Sequence, residues 1–235
     1  MTKLPEFIYA YDREGNRIKR DLKGTIIEEQ REAAFRTGDS PFAVEVIYLL
    51  LFHPEQGVYV VQRANKREDP YLWSTSVGGH VSADEQADQT MSRESGEELK
   101  IREESGEELK GIETILVSTP DDFVRIVRDD PLDTRAVARK IQFVPWLGTY
   151  RIDRETKHPW LKRTHAHIYV GVFRGMPIFG PESQDTEFMD GTREAIAAKT
   201  YPKEELKRIL SQNDPRFSNT LGVLVDRYHA FLGDV

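Results

Sequence analysis

One segment in the first half of the chain decides the fold. Residues 78–101 read GGHVSADEQADQTMSRESGEELKI. The glycine pair follows a predicted strand at 72–77 and permits a tight turn. Ser82 followed three positions later by Glu85 has the pattern of a capping box, which predicts a helix that begins there and runs at least to Leu99. The segment is therefore predicted to fold as strand, turn and helix.

The predicted helix carries an acidic face. Glu94, Glu97 and Glu98 are three and four positions apart, so their carboxylates lie on one side of the helix. Neighbouring carboxylates repel one another, and a hard divalent cation such as Mg²⁺ would remove that cost because it prefers oxygen ligands. Arg93 is adjacent and could orient one carboxylate, while the carbonyl of Gly79 could reach the same ion. The pattern favours a metal site.

A plain acidic helix is the competing interpretation. Runs of glutamate are usually solvated surfaces, and such a helix could instead bind protein partners. The spacing argues against this, because five residues separate Gly79 from Glu85 and seven separate Glu85 from Arg93. Six fixed positions at about 7% each match by chance in on the order of 10⁻⁵ of chains, and glutamate richness raises this about tenfold. We therefore favour the metal site.

This spacing resembles the signature of the Nudix hydrolases, G-x5-E-x7-R-E-U-x-E-E-x-G-U, in which U is aliphatic. The resemblance implies an α/β (α+β) fold, an α/β/α sandwich with a mixed sheet. It implies Mg²⁺- or Mn²⁺-dependent hydrolysis of a diphosphate bond in a nucleoside diphosphate linked to another group. It also implies that Glu94, Glu97 and Glu98 bind the cation with the carbonyl of Gly79, and that Arg93 belongs to the catalytic set. We expect Glu97 or Glu98 to be the base that activates water, because a carboxylate beside the metal-bound water is within reach.

Two positions depart from the signature. Ser95 replaces an aliphatic residue, which weakens the core face of the helix, and Lys100 replaces the glycine that ends the helix. These departures, together with a duplication described next, motivate a second hypothesis. In it the chain is a catalytically weakened Nudix-fold protein that binds nucleotides or has a regulatory role.

A short tandem duplication overlaps the end of the signature. Residues 92–101 read SRESGEELKI and residues 102–111 read REESGEELKG, so seven of ten positions agree. Ten residues advance a straight helix by roughly 1000°, which leaves the copies about 80° out of phase. Only the first copy has the correct spacing from Gly79, and the alternative metal set in the second copy is Glu103, Glu104, Glu107 and Glu108. Because Gly111 precedes Ile112, the duplication is predicted to move the helix exit ten residues downstream.

The rest of the chain mixes strands and helices without the regular alternation of a doubly wound sheet. Residues 7–19 are predicted to form a hairpin and residues 42–52 a buried strand. No linker divides the chain, so residues 1–235 are interpreted as one domain. Within it, residues 1–40 are predicted to be an N-terminal extension and residues 118–163 an insertion after the signature helix.

The predicted insertion ends in a basic segment, residues 151–163, around Trp160. Its cations could clasp phosphates and Trp160 could stack a base, although a charged surface loop is equally compatible. Arg63 follows a strand that should end near the site, where it could hold a phosphate or pair with a neighbour. We name Arg63 and Trp160 as the substrate-binding candidates.

Other polar residues have weaker support. His80 could touch a metal or a phosphate, but a lone histidine is more often a hydrogen-bonding residue. His165 and His167 could bind a metal, and packing within a strand is the simpler explanation. An acidic loop after that strand is interpreted as solvated, and it contains Glu182, Asp185 and Glu187.

The turn at residues 76–80 and the N-terminal layout resemble the Nudix branch that includes isopentenyl-diphosphate isomerases. Those isomerases depend on a catalytic cysteine, and the sequence contains none. We therefore do not expect isomerase activity.

Net charge and apolar content limit the kinds of partner that the protein is expected to bind. The net charge of −7 argues against a generic nucleic-acid binder, and a small diphosphate substrate is expected instead. The chain begins without the apolar run of a signal peptide, and its longest apolar stretch, at 46–52, is too short to span a membrane. A cytoplasmic protein without a membrane partner is the expectation. Nudix relatives often form homodimers, and the oligomeric state stays open.

Overall fold

The structure is a computed structural model of the 235-residue chain, and it describes residues 5–64, 66–102, 109–175 and 195–232. The strands in these ranges are β1 Phe7–Tyr11, β2 Arg17–Leu22, β3 Ala43–His53, β4 Gly57–Arg63, β5 Trp73–Ser74, β6 Val77–His80, β7 Lys100–Arg102, β8 Leu109–Gly111, β9 Glu113–Val117, β10 Arg135–Ile152, β11 Pro159–Val172 and β12 Ala195–Tyr201. The helices are α1 Lys23–Thr37, α2 Ala87–Glu98, α3 Pro120–Asp129, α4 Lys203–Ser211 and α5 Asn219–Tyr228, which continues into a 3₁₀ turn, His229–Leu232.

Strand β3 is the centre of the main sheet, which has the order β12-β4-β3-β11-β10-β9. One edge of β3 is parallel to β11. Its other edge pairs in turn with β1, β6 and β4, and all three pairings are antiparallel. The sheet is therefore mixed, as predicted.

Both faces of β3 are covered. Successive side chains of a strand point to opposite faces, so Val46 packs with Ile26 of α1 on one side and Ile47 packs with Met91 of α2 on the other. Helices α4 and α5 also contribute to the cluster that contains Val46. A strand buried on both faces has a nearly continuous apolar sequence, which is why β3 was recognisable. The predicted α/β/α sandwich is confirmed.

The sheet opens between β3 and β4. These strands pair only at Phe52–Val58 and His53–Gly57 and then separate. Beyond that point β6 occupies the edge of β3, from Val46–His80 to Leu49–Val77, while β5 pairs with β4. The separation leaves a cleft whose walls come from both strands and from the neighbouring helices.

The predicted extension and insertion both join this sheet. β1 pairs with β2 as the predicted hairpin and also with β3. Residues 118–163 supply α3, all of β10 and the start of β11, and these two strands pair along Val137–Val172 to Ile152–Pro159. The basic segment at 151–163 was expected as a loop, and only residues 153–158 are outside the two strands. No helix among the described residues is long and apolar enough to cross a membrane.

The start of the signature helix differs from the prediction. Helix α2 begins at Ala87, and the reciprocal capping bonds join Gln86 and Gln89 rather than Ser82 and Glu85. Residues 82–85 form a turn in which the Glu85 amide donates to the Ser82 carbonyl at 3.0 Å. The Glu85 carboxylate is instead occupied by Arg93 and Thr90, so it cannot cap the helix. The predicted strand at 72–77 is also divided, into β5 and β6.

The helix does not continue into the second copy of the duplication, and the predicted downstream shift of its exit is wrong. α2 ends at Glu98, and the copies pair with each other as a two-stranded hairpin, β7 with β8. The Ile112 amide donates to the Leu99 carbonyl at 2.9 Å, and both side chains are buried in the core beside α2. The chain therefore leaves the helix at Leu99, forms the β7–β8 hairpin, and returns at Gly111 to the end of α2.

Candidate active site

The glycine turn and the acidic helix are in contact. β6 places Gly79 against α2, and a Cβ built on Gly79 would lie 2.6 Å from the Cγ, Cδ and Oε1 atoms of Glu94. Any larger residue would displace that carboxylate. Burial raises the pKa of Glu94, and this effect outweighs the attraction of Arg93. A carboxylate held in such a position gains from a nearby cation.

Arg93 holds the acidic face in place. Its Nε and Nη2 atoms donate to the two carboxylate oxygens of Glu85 at 2.9 and 3.0 Å, and its Nη1 donates to Glu94 at 2.8 Å. The hydrogen bond from Arg93 lowers the pKa of Glu85. Two fixed positions of the signature spacing, Glu85 and Arg93, thus form a bidentate pair, and the same arginine orients Glu94.

The remaining glutamates lie on the same side of the helix. Glu97 is 3.6 Å from Arg93, and a carboxylate oxygen of Glu98 accepts from the Gly78 amide at 3.2 Å. Carboxylates and a main-chain carbonyl are the oxygen ligands that Mg²⁺ and Mn²⁺ take, so the donor set fits the cation chemically. Within the described ranges no three acidic or histidine side chains are gathered tightly enough to hold an ion as they stand.

The two departures from the signature are accommodated. Ser95 is fully buried, and its hydroxyl donates to the Met91 carbonyl at 2.8 Å, so no polar atom of its side chain is stranded. The ammonium of Lys100 donates to the Gly96 carbonyl at 2.8 Å and caps the helix end. Gly111 packs so closely on Gly96 that a Cβ at position 111 would overlap the Gly96 carbonyl oxygen. Gly111 thus supplies a glycine at the end of the helix, and the buried aliphatic residue Ile112 follows it.

A cleft of about 960 Å³ runs along the acidic helix. Glu94, Glu97 and Glu98 border it on one side. Its basic lining residues are Lys23, Arg31, Arg63, Lys66, Arg67, Arg93, Arg151 and Lys162. Three more glutamates of the lining pair with these cations: Glu6 with Lys23, Glu28 with Arg31 and Glu68 with Lys162. A cleft that combines this many carboxylates and cations suits an anionic ligand bridged by a metal.

Two of these cations come from the long hairpin of β10 and β11. Lys162 is 2% exposed, and its ammonium lies 3.0 Å from Glu68 Oε2 and 3.3 Å from His80 Nε2. Burial lowers the pKa of Lys162 to about 8, with Glu68 opposing the shift. Burial and then the charge of Lys162 hold the pKa of His80 well below its usual value, so this imidazole is neutral.

Sequence-predicted residues divide into those that reach the cleft and those that do not. Arg63 borders the cleft, where its Nε donates to the Glu68 carbonyl at 3.2 Å. Trp160 is 2% exposed and is outside the described lining of the cleft. Its placement does not support base stacking, because a buried ring offers no face to a ligand, and we leave it out of the proposal below.

The other histidines lie elsewhere. His167 Nε2 is 2.7 Å from Glu45, and His165 Nε2 is 3.4 Å from the Asp12 carbonyl. Both rings contact Phe143. The acidic loop with Glu182, Asp185 and Glu187, and the alternative metal set of Glu103, Glu104, Glu107 and Glu108, lie outside the described residues.

The sequence prediction missed Lys162, Arg151, Glu68 and Asp69 as individual site residues. The only available signal was the basic composition of residues 151–163, which singles out none of its five cations. Successive side chains of a strand point to opposite faces, and this determines which cations reach the cleft. Arg151 and Lys162 face the cleft, whereas Arg163 pairs with Asp39 at 2.7 Å. That alternation is visible only once the segment is known to be two strands.

Fold and site together define a class: an α/β/α sandwich whose strand, glycine turn and helix form an acidic site at a cation-lined cleft. Comparisons with known proteins agree with it. The sequence model of the NUDIX domain family matches residues 41–134. Residues 41–134, which include strand β3, the glycine turn and helix α2, thus match a NUDIX domain. The family match supports the predicted enzyme class, a Nudix-type pyrophosphohydrolase.

One solved structure shows the same fold, and two others are less similar. The protein DR0079 of Deinococcus radiodurans is similar at a TM-score of 0.54 and 15% identity, over 94% of this chain and 98% of that one. A MutT protein of Methanosarcina mazei Go1 gives a TM-score of 0.44 at 14% identity, over 80% of this chain and 94% of its own. A NUDIX-family hydrolase of Clostridium perfringens gives 0.40 at 15% identity, over 80% and 96%. No curated protein sequence matches the chain significantly.

Proposed function

We propose that this protein is a Mg²⁺- or Mn²⁺-dependent hydrolase that cleaves the diphosphate bond of a nucleoside diphosphate linked to another group. The observation that carries the proposal is the contact of Gly79 with Glu94, held by the Glu85–Arg93 pair at the edge of a cleft lined by cations. The metal set of the proposal is Glu94, Glu97 and Glu98 with the Gly79 carbonyl.

The acidic and the basic residues that line the cleft have different roles in the proposed reaction. Glu94, Glu97, Glu98 and the Gly79 carbonyl would hold the cation, which would supply polarisation of the diphosphate and a more acidic water molecule. Glu97 or Glu98 takes the proton of that water, since both border the cleft on the helix that carries the metal ligands. Arg93 keeps Glu94 oriented, and Arg63 and the other lining cations neutralise the phosphate oxygens.

The sequence departures that motivated the hypothesis of a weakened, binding-only protein have structural partners of their own. Ser95 is hydrogen-bonded, Lys100 caps the helix, and Gly111 packs where the terminal glycine is needed. None of these features disturbs Glu94 or its partner Arg93. Isomerase chemistry is not proposed, because the sequence has no cysteine.

The test is a screen of diphosphate compounds with Mg²⁺ and with Mn²⁺, read by the masses of the products. We expect at least one nucleoside diphosphate derivative to yield a nucleoside monophosphate and a second phosphorylated product. Tight nucleotide binding without turnover on any compound would overturn the proposal. We further propose a small-molecule partner, no nucleic-acid polymer and a cytoplasmic location, and sizing chromatography with light scattering tests the homodimer.

A further inference from the structure

The side of the cleft formed by β10 and β11 holds a lysine that is almost completely buried. Lys162 borders the cleft at 2% exposure, with Glu68 and His80 as its hydrogen-bond partners. A buried ion pair is seldom the most stable choice for a core, because removing two charges from water costs more than a well-packed apolar pair would. The position of this pair at a cleft therefore suggests a role in binding.

Arg151 lies beside it and keeps one donor unused. Its Nη1 donates to Asp69 at 2.7 Å and its Nη2 donates to the Tyr48 hydroxyl at 3.0 Å. Its Nε is buried and has no partner within the described part of the chain, although the side chain is 5% exposed and borders the cleft. A buried donor without an acceptor is costly, so Arg151 is kept at the cleft at a cost to the stability of the fold.

The charged side chains around Lys162 leave an excess of one positive charge. Lys162 and Arg151 are paired with Glu68 and Asp69, and Arg63 adds a third cation beside these two carboxylates. In a poorly solvated space an uncompensated positive charge attracts an anion strongly. His80 is 3.3 Å from Lys162 and is bonded in sequence to Gly79, which contacts Glu94. This cationic group and the glutamates of α2 therefore line one and the same cleft.

We propose that Lys162 and Arg151 form an anion subsite that holds the phosphoryl group of the substrate remote from the glutamates of α2. The assignment rests on the proposed function for the identity of the anion as a diphosphate. In this subsite Glu68 holds the ammonium of Lys162 while the cleft is empty of substrate. An arriving phosphoryl oxygen then accepts from Lys162, and the adjacent positive charge of Arg151, which borders the same cleft, adds to the attraction.

The test uses methylenediphosphonate, a diphosphate analogue that cannot be hydrolysed, titrated by calorimetry into the full chain with Mg²⁺ present. Lys162→Met alone leaves Glu68 buried without a partner and risks misfolding. The informative variant is therefore Glu68→Gln/Lys162→Met, which removes both charges together. Glu68→Gln isolates the loss of the carboxylate, and Lys157→Met, in the exposed turn of the same hairpin, is the matched control.

We expect Glu68→Gln to bind the analogue at least as tightly as the wild type, because Lys162 loses a competing partner. The double variant should unfold at a temperature close to that of Glu68→Gln but bind ten- to a hundredfold more weakly, as expected for a lost charged hydrogen bond. Lys157→Met should bind as the wild type does. No binding by the wild type, or binding by the double variant within twofold of the wild type, would overturn the subsite.

This readout separates two failures. If no compound is hydrolysed but the analogue still binds with Lys162 dependence, the proposed function fails and the subsite stands. If hydrolysis proceeds and the double variant binds normally, the subsite fails and the proposed function stands.

Discussion

Gly111 packs directly on the backbone of Gly96, although fifteen positions separate them in the sequence. The approach is possible because the hairpin of β7 and β8 returns the chain to the end of α2, where Ile112 bonds to Leu99. The chain between Leu99 and Gly111 thus lies outside α2, and Glu94, Glu97 and Glu98 all remain on that helix. Two predictions follow from this contact.

Gly111→Ala should destabilise the fold by about 1–3 kcal/mol, because its Cβ overlaps the Gly96 carbonyl and the backbone must shift. Urea unfolding measures the change. Gly222→Ala is the matched control, since a Cβ there meets nothing within 4 Å and lies in α5, where alanine is favoured. A Gly111→Ala variant as stable as the wild type would show that the packing is looser than described.

Excision of residues 100–110, which joins Leu99 to Gly111, should leave a folded protein with its metal-dependent activity. The joined sequence restores the spacing of the signature, and Leu99 and Ile112 are already hydrogen-bonded neighbours. Circular dichroism and turnover with Mg²⁺ measure the outcome. A folded but inactive product would instead assign the metal ligands to the second copy.

The sequence predicted much of the fold and the acidic half of the site. Apolar runs such as β3, and the spacing from Gly79 to Glu98, are local patterns, and local patterns are readable from a single sequence. The pairing of β7 with β8 was not predicted. The periodicity of a helix gives no information about which segments pair as strands. The start of α2 was misplaced because Glu85 binds Arg93 instead of capping the helix.

The basic half of the site was not predictable residue by residue. Arg151 and Lys162 come close to Glu68, Asp69 and His80 only when β10 and β11 pair and β3 separates from β4. Such contacts join residues about 80 to 95 positions apart. They depend on tertiary packing, which composition does not encode.

Arg93→Lys should reduce kcat about ten- to a hundredfold, because lysine keeps the charge but cannot make the bidentate contact that orients Glu94. Steady-state kinetics on the substrate found in the screen measures this. Arg128→Lys, at an exposed pair with Asp129 on α3, is the control and should be silent. Equal effects of the two substitutions would remove Arg93 from the catalytic set.

Lys162 also predicts a pH dependence of stability. Its pKa is about 8 in the folded protein against 10.5 for the ordinary side chain, so between these values the unfolded chain binds more protons. Raising the pH therefore favours the folded state, by about 2 kcal/mol between pH 7.5 and 9.5. Urea unfolding across this range should show the rise in the wild type and not in Glu68→Gln/Lys162→Met. Parallel pH profiles would contradict the buried, charged state of Lys162.

The central claim is that the glutamates of the first copy support water attack on a diphosphate bond. The most direct measurement is hydrolysis of the identified substrate with Mg²⁺ in oxygen-18 water, comparing the wild type with Glu97→Gln and with the exposed control Glu113→Gln. We predict one heavy oxygen in a phosphate product of the wild type and the control, and a rate lower by about a hundredfold or more in folded Glu97→Gln. Full turnover by folded Glu97→Gln, or heavy oxygen absent from every phosphate product, would contradict the claim.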